Sequence, residues 1–270
     1  MISLTTKRPN LVIAAHGSTA TTQANLPFEL LADSLRSTDL FSKVVPAFLD
    51  GKVLIEEAYD QLDANESHDV IVIPAMTCDG YYANSVFPKK LSGNSGFENF
   101  NTVFTEAIGI QHQMVDIVVD RIRLLLERFG LASDDTAVFI VGHGTRRNPD
   151  SGTSTFELAR LANERVEAKV LATFIDQDPE ISESRSKVNA MNTLVIPFLM
   201  GMGPHVTDDV PESFDLIGGP RTLFPRCSDT FSGKVICDQP LGSHTESLKD
   251  ICFSLVDSVT HSMMTKEVAV

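Results

Sequence analysis

The sequence predicts an α/β protein built from two similar lobes, each a doubly wound parallel sheet, arising by internal duplication. Three observations carry that expectation. Short Val/Ile/Leu runs alternate with helical patterns along the 270 residues, the landmarks of the first half return in order in the second, and in each half the first apolar run ends in His-Gly followed by a hydroxyl residue. Strands that alternate with helices imply parallel sheets with right-handed crossovers.

In the first half, apolar runs at 10–15, 43–49, 69–74 and 101–105 read as strands covered on both faces, because they are apolar throughout instead of alternating. Helical patterns lie between them at 22–36, 53–63, 86–91 and 111–129. The last is the clearest: Met114, Ile117, Val118, Ile122, Leu125, Leu126 and Phe129 keep a 3.6-residue spacing, and Gly130 supplies the stop. The second half repeats the rhythm, with strands expected near 136–142, 168–175, 191–197 and 234–238 and helices near 153–166, 179–188, 208–216 and 244–261. The repeat is direct. His16 and His143 lie 127 positions apart, "VPAFLDG" (45–51) is echoed by "LATFIDQ" (171–177), and Pro74, Gly80 and Pro88 meet Pro197, Gly203 and Pro211 at a constant spacing of 123. The expected lobes are 1–131 and 135–270, meeting at "LASDD". Residues 218–233 have no counterpart in the first half and are expected as a loop over the site, and 262–270 as a frayed tail.

Composition narrows the function classes. With 43% hydrophobic residues the chain can build real cores. A formal net charge of −14 repels a nucleic acid backbone and an anionic membrane, so neither is an expected partner. The early apolar stretch Leu11–Ala15 is shorter than the roughly 7–15 residues of a secretory core, and no run approaches the roughly 20 residues of a membrane span. A cytoplasmic location is expected, and a chain already holding two lobes is compatible with a monomer. Cys78, Cys227, Cys237 and Cys252 show no C-x-x-C spacing and are expected as reduced core or strand residues.

In an open parallel sheet the ligand crevice lies beyond the carboxyl ends of the strands, so the polar residues directly after each strand carry the chemistry. In the second half these are His143, Asp176, His205 and His244; in the first they are His16, Asp50, Tyr82 and Gln111. One of the two principal histidines is thus replaced, and the site is expected to be asymmetric. Two imidazoles and a carboxylate at one sheet edge suit a divalent first-row metal. Competing motifs are absent: there is no G-x-x-x-x-G-K-[ST] phosphate loop and no G-x-S-x-G elbow, and "GMGPHV" stops short of a dinucleotide fingerprint. No nucleotide cofactor is expected.

The motifs "AAHGS" (14–18), "AFLDG" (47–51), "AMTCDGYYANSVFP" (75–88), "GHGTRRNPDSG" (142–152), "FIDQDPEI" (174–181), "GMGPHVTDDVP" (201–211) and "PLGSH" (240–244) span most of both halves in order. Together they resemble the class II tetrapyrrole chelatases of the sirohydrochlorin cobaltochelatase/ferrochelatase family, in its long two-lobed CbiX type. The resemblance implies a chelatase-like bilobal fold whose interlobe cleft takes a metal-free tetrapyrrole and inserts Co2+ or Fe2+, with Ni2+ also possible, without ATP. By motif it places the metal-handling groups on His143, His205 and Asp176. The family usually has Glu at the last position, and Asp is one methylene shorter, so Asp178 and Glu180 stay open as substitutes. A sirohydrochlorin-like ring is rich in carboxylates, which calls for local cations: Arg146 and Arg147 are best placed, with Lys89, Lys90, Arg221 and Arg226 behind them. His16, Ser18, Tyr81, Tyr82, Thr145 and His244 complete the expected substrate contacts. The alternatives are a non-catalytic tetrapyrrole or metal carrier using the same cleft, and a generic hydrolase, which no motif supports.

Overall fold

The computed structural model describes residues 8–21, 23–231 and 233–267, apart from the side chains of residues 149 and 261–267. Its first half runs β1 (Asn10–Gly17), α1 (Leu26–Arg36), β2 (Val44–Asp50), β3 (Asp69–Pro74), α2 (Phe87–Ser92), β4 (Asn101–Phe104) and α3 (Gln113–Phe129). The second runs β5 (Thr136–Gly142), α4 (Thr153–Asn163), β6 (Lys169–Phe174), α5 (Ile181–Ser186), β7 (Asn192–Pro197), α6 (Val210–Ser213), β8 (Arg226–Asp229), β9 (Lys234–Cys237) and α7 (Thr245–Glu267). Every expected strand is present. The 53–63 helix is a 3-10 segment, Ile55–Gln61. The helices expected at 86–91 and 208–216 are short α-helices, Phe87–Ser92 and Val210–Ser213, each entered through a single π-turn, Tyr82–Val86 or His205–Asp209.

Two sheets form, ordered β2-β1-β3-β4 and β6-β5-β7-β9-β8. All pairings are parallel except β8 with β9. The unmatched 218–233 stretch therefore contributes an antiparallel edge strand, Arg226–Asp229, instead of being loop throughout. Its Cys227 pairs with Ile236, and Thr230 N–H reaches Gly233 O at 2.7 Å, closing a short hairpin. The stretch expected as a tail is helical as far as Glu267, and residues 268–270 lie outside the described residues.

Contacts divide the chain into two compact units, and their boundaries differ from the halves of the repeat. Among the described residues, one unit holds those up to Gln111 together with those from His244 onward, and the other holds His112–Ser243. Each half donates its last helix to the other unit's sheet, because an amphipathic stripe states that a face must be buried but not against which sheet. In the first unit α7 packs on α1 and β3, burying Leu248, Ile251, Cys252 and Leu255. The opposite face is filled by Val12, Ala14, Ala47, Ile55, Tyr59, Val70, Val72 and Phe87. In the second unit α3 packs on α4 and β7 with Val118, Ile122 and Leu125 fully buried. Phe139, Val141, Ile181, Val195, Val210 and Phe214 fill the other face. Gly130 closes α3 at φ +62°, where Leu131 N–H bonds back to Leu126 O. No helix among the described residues is long and apolar enough to cross a membrane.

Strand order decides where a site can form. In each unit the chain leaves its first strand toward one side and returns to build on the other, so the crossovers part between β1 and β3, and between β5 and β7. The loops after those strand pairs flank an open crevice at the carboxyl edge. That edge carries His16, at the end of β1, and Tyr82 in one unit, and His143 and His205 in the other.

Candidate active site

His143 follows directly on β5, where strand geometry ends and Gly144 takes φ +66°. A side chain there is excluded twice: by the left-handed backbone, and because a Cβ would lie 2.5 Å from Gln177 Cβ. The turn brings Gly144 O to within 2.6 Å of His143 Nδ1. A carbonyl only accepts, so Nδ1 is the donor in this contact, and the neutral ring then carries its lone pair on Nε2. Gly17, the last residue of β1, at φ +71°, makes the same turn, with His16 Nδ1 3.1 Å from Gly17 O. The repeated His-Gly is therefore a device that stops a buried strand and fixes one nitrogen of an exposed imidazole.

The loop after β7 brings His205 to this ring. The two imidazole centroids are 4.8 Å apart, edge to face at 80°, although 62 positions separate the residues in sequence. His205 heads the π-turn and its Nδ1 lies 2.6 Å from Asp209 Oδ2. Both residues are exposed, the His205 side chain to 46%. Asp176 joins them through its backbone, whose N–H donates to His143 O at 2.9 Å, while its residue is exposed. Among the described residues no three His, Cys, Asp or Glu side chains converge as a ready-made metal cage. The structure thus brings together the two histidines and sets Asp176 beside His143.

The cations divide into engaged and available. Arg146 is paired with Glu180. Arg226, named above as a reserve for ring carboxylates, is instead structural: its guanidinium donates to Thr207 O, Leu216 O and Gly218 O. Thr207 is four residues before Pro211, which has no N–H to offer, so Arg226 satisfies the carbonyl that the proline leaves open. Arg221 pairs with Asp208 at 2.7 Å and Lys90 with Glu56 at 2.9 Å. Arg147 is exposed and has no ion-pair partner among the described residues.

Thr145 is tied to its own loop, its N–H donating to Gln177 Oε1 at 3.2 Å and its Oγ1 accepting from Arg147 N–H. Gln177 also accepts from Ser151 Oγ, so this buried side chain braces the whole His-Gly-Thr turn. Ser18 Oγ accepts from Ala20 N–H in the equivalent turn of the first unit. There His16 meets Tyr82 at 5.2 Å, and Tyr82 meets Tyr81 at 5.9 Å, both edge to face. Tyr81 is 70% exposed. His244 immediately precedes α7 and is counted with the first unit. Two contributors escaped the sequence reading, Gln177 and Asp209. The second had a signal: a His and an Asp four apart on one turn, ahead of a proline.

Comparison with known proteins follows this geometry. A family model, CbiX, matches residues 10–125 and 137–258. A protein of Halobacterium salinarum named probable sirohydrochlorin cobaltochelatase is 28% identical over 225 residues, covering 75% of each chain. The sirohydrochlorin chelatase SirB of Bacillus subtilis subspecies spizizenii, solved in complex with cobalt, superposes with a TM-score of 0.68 at 17% identity, covering 93% of this chain and 94% of its own. SirB from Bacillus subtilis with Fe3+ gives a TM-score of 0.71, also at 17% identity, over 93% and 94%.

Proposed function

The chain belongs to the CbiX family, and from that premise we propose that it is a chelatase inserting a divalent metal, Co2+ first and Fe2+ second, into a sirohydrochlorin-type tetrapyrrole without ATP. The single observation that carries the reading is the His143–His205 pair at the crevice of the second unit. The reaction exchanges two pyrrole N–H protons for one dication. It therefore needs groups that hold the metal loosely enough to release it and that accept protons near neutral pH, and imidazole does both. Two nitrogen donors with open positions around them suit a metal in transit, where a closed cage would retain it. The acidic residue that adds charge compensation is Asp176, with Asp178 as its neighbour. Arg147 is the cation placed to receive a ring carboxylate, with Arg146 available once it leaves Glu180. In the first unit His16, Ser18, Tyr81 and Tyr82 offer ring contacts without the second imidazole. Cobalt is placed first because the relative from Halobacterium salinarum is named for it; imidazole and carboxylate also accept iron and nickel.

The test is an absorbance assay with sirohydrochlorin and Co2+ or Fe2+ and no nucleotide. His143→Ala and His205→Ala are each expected to slow insertion by about 100-fold or more, the range for loss of a positioned acid–base group. His16→Ala is expected to cost less, because its partner is already Tyr82. Ring binding with insertion at the uncatalysed rate would mark the protein as a carrier, and a larger loss in His16→Ala would move the chemistry to the first unit.

A further inference from the structure

We infer that Asp209 is the positioning residue for His205, holding its Nδ1–H so that the Nε2 lone pair faces the metal; this rests on the reading of His205 as a metal-handling imidazole. An ionised carboxylate can only accept, so the 2.6 Å contact between Asp209 Oδ2 and His205 Nδ1 requires the proton on Nδ1. Free imidazole side chains prefer the opposite tautomer, with the proton on Nε2, and that form would carry its lone pair on Nδ1, the nitrogen that lies against Asp209. The π-turn makes the contact local: both residues lie within His205–Asp209, and the turn is closed by Val210 N–H bonding back to His205 O. The adjacent acid is committed elsewhere, since Asp208 accepts from Thr207 Oγ1 at 2.7 Å and pairs with Arg221. Asp209 therefore acts alone on this ring.

The internal repeat supplies an independent argument. The spacing that joins Gly80 to Gly203 and Pro88 to Pro211 sets Tyr82 opposite His205 and Val86 opposite Asp209. Both units form the same five-residue π-turn at this place, Tyr82–Val86 and His205–Asp209, so the backbone needs no carboxylate. The acid is present where the imidazole is present and replaced by an apolar residue where the imidazole is replaced. His16 and His143, by contrast, both obtain their Nδ1 partner from a glycine carbonyl in the backbone. A structural role for Asp209 would have been needed in both units; a role toward His205 is needed in one.

The experiment uses the full chain labelled with 15N-histidine, the His205 resonances being assigned by their loss in His205→Ala. In the wild type, long-range proton–nitrogen spectra at neutral pH are expected to show His205 protonated at Nδ1. Asp209→Val, which copies the first unit's residue, is expected to move the proton toward Nε2, weaken binding of Co2+ alone by about 10–100-fold and raise the KM for metal more than it lowers kcat. Asp209→Asn, whose carbonyl still accepts, is expected to keep the tautomer and most of the Co2+ affinity. A folded Asp209→Val with an unchanged tautomer overturns the inference, as does a changed tautomer with unchanged Co2+ affinity. A wild type that holds the tautomer and binds Co2+ but inserts no metal counts against the chelatase reading alone.

Discussion

Residue 143 shows how little separates a strand terminus from a reactive group. The glycine that follows turns the backbone through φ +66°, and the same turn occupies Nδ1 and frees Nε2. Burial sorts the cysteines in a similar way. Cys252 is fully buried and its thiol is pushed up to about 12 by desolvation; Cys237 is raised by the same cause, with Asp238 adding to it. Cys78 is raised by partial burial first, whereas Cys227 is exposed on β8. A raised thiol holds less thiolate at any working pH, and the thiolate is the species that reacts. With an aromatic disulfide reagent at pH 8 the folded protein is expected to react first at Cys227, and Cys227→Ser is expected to remove the fast phase. Cys237 and Cys252 are expected to react only after denaturation; rapid labelling of either in the folded state would contradict the burial argument. The sequence showed that the histidines end strands, but the tautomers were not legible, because their acceptors are a backbone carbonyl and a carboxylate placed by a π-turn.

At the scale of elements, the second unit depends on one buried ion pair. Arg121 on α3 meets Asp238, just beyond β9, through two hydrogen bonds of 2.7 and 2.8 Å, and the aspartate side chain is only 1% exposed. The pair anchors α3 to the strand that completes the parallel sheet. Arg121→Met is expected to destabilise the unit by about 3–5 kcal/mol, because it leaves a buried charge without compensation. Arg121→Met with Asp238→Leu is expected to recover much of that loss, since removing both charges also removes the desolvation penalty. Hydrogen exchange of the β7 amides measures both, and a single variant as stable as the wild type would show that water reaches Asp238. Apolar runs placed every expected strand to within two or three residues. The edge strand β8 was not legible, because "RCSD" has neither an apolar run nor alternation and is held by pairing alone.

At the scale of the whole molecule, the duplication and the compact units follow different boundaries. The repeat divides the chain near 131–135, whereas contacts divide it after Gln111 and before His244. Removing residues 244–270 is therefore expected to damage the first unit, although the segment belongs to the second half of the sequence. Hydrogen exchange in α1 is expected to rise as the helix loses its α7 cover, while β5 and β7 stay protected. Loss of protection in β5 with α1 unchanged would return α7 to the second unit. The sequence by itself determined the strands, the duplication and the histidines at the strand tips, because those follow from local apolar patterning and from glycine's freedom at positive φ. Only the tertiary structure decided that His143 meets His205, that Asp209 holds the second ring, and that α3 and α7 are exchanged between sheets. An apolar stripe or a strand end specifies that a surface must be covered or a side chain presented, while its partner is chosen by strand order and chain crossover.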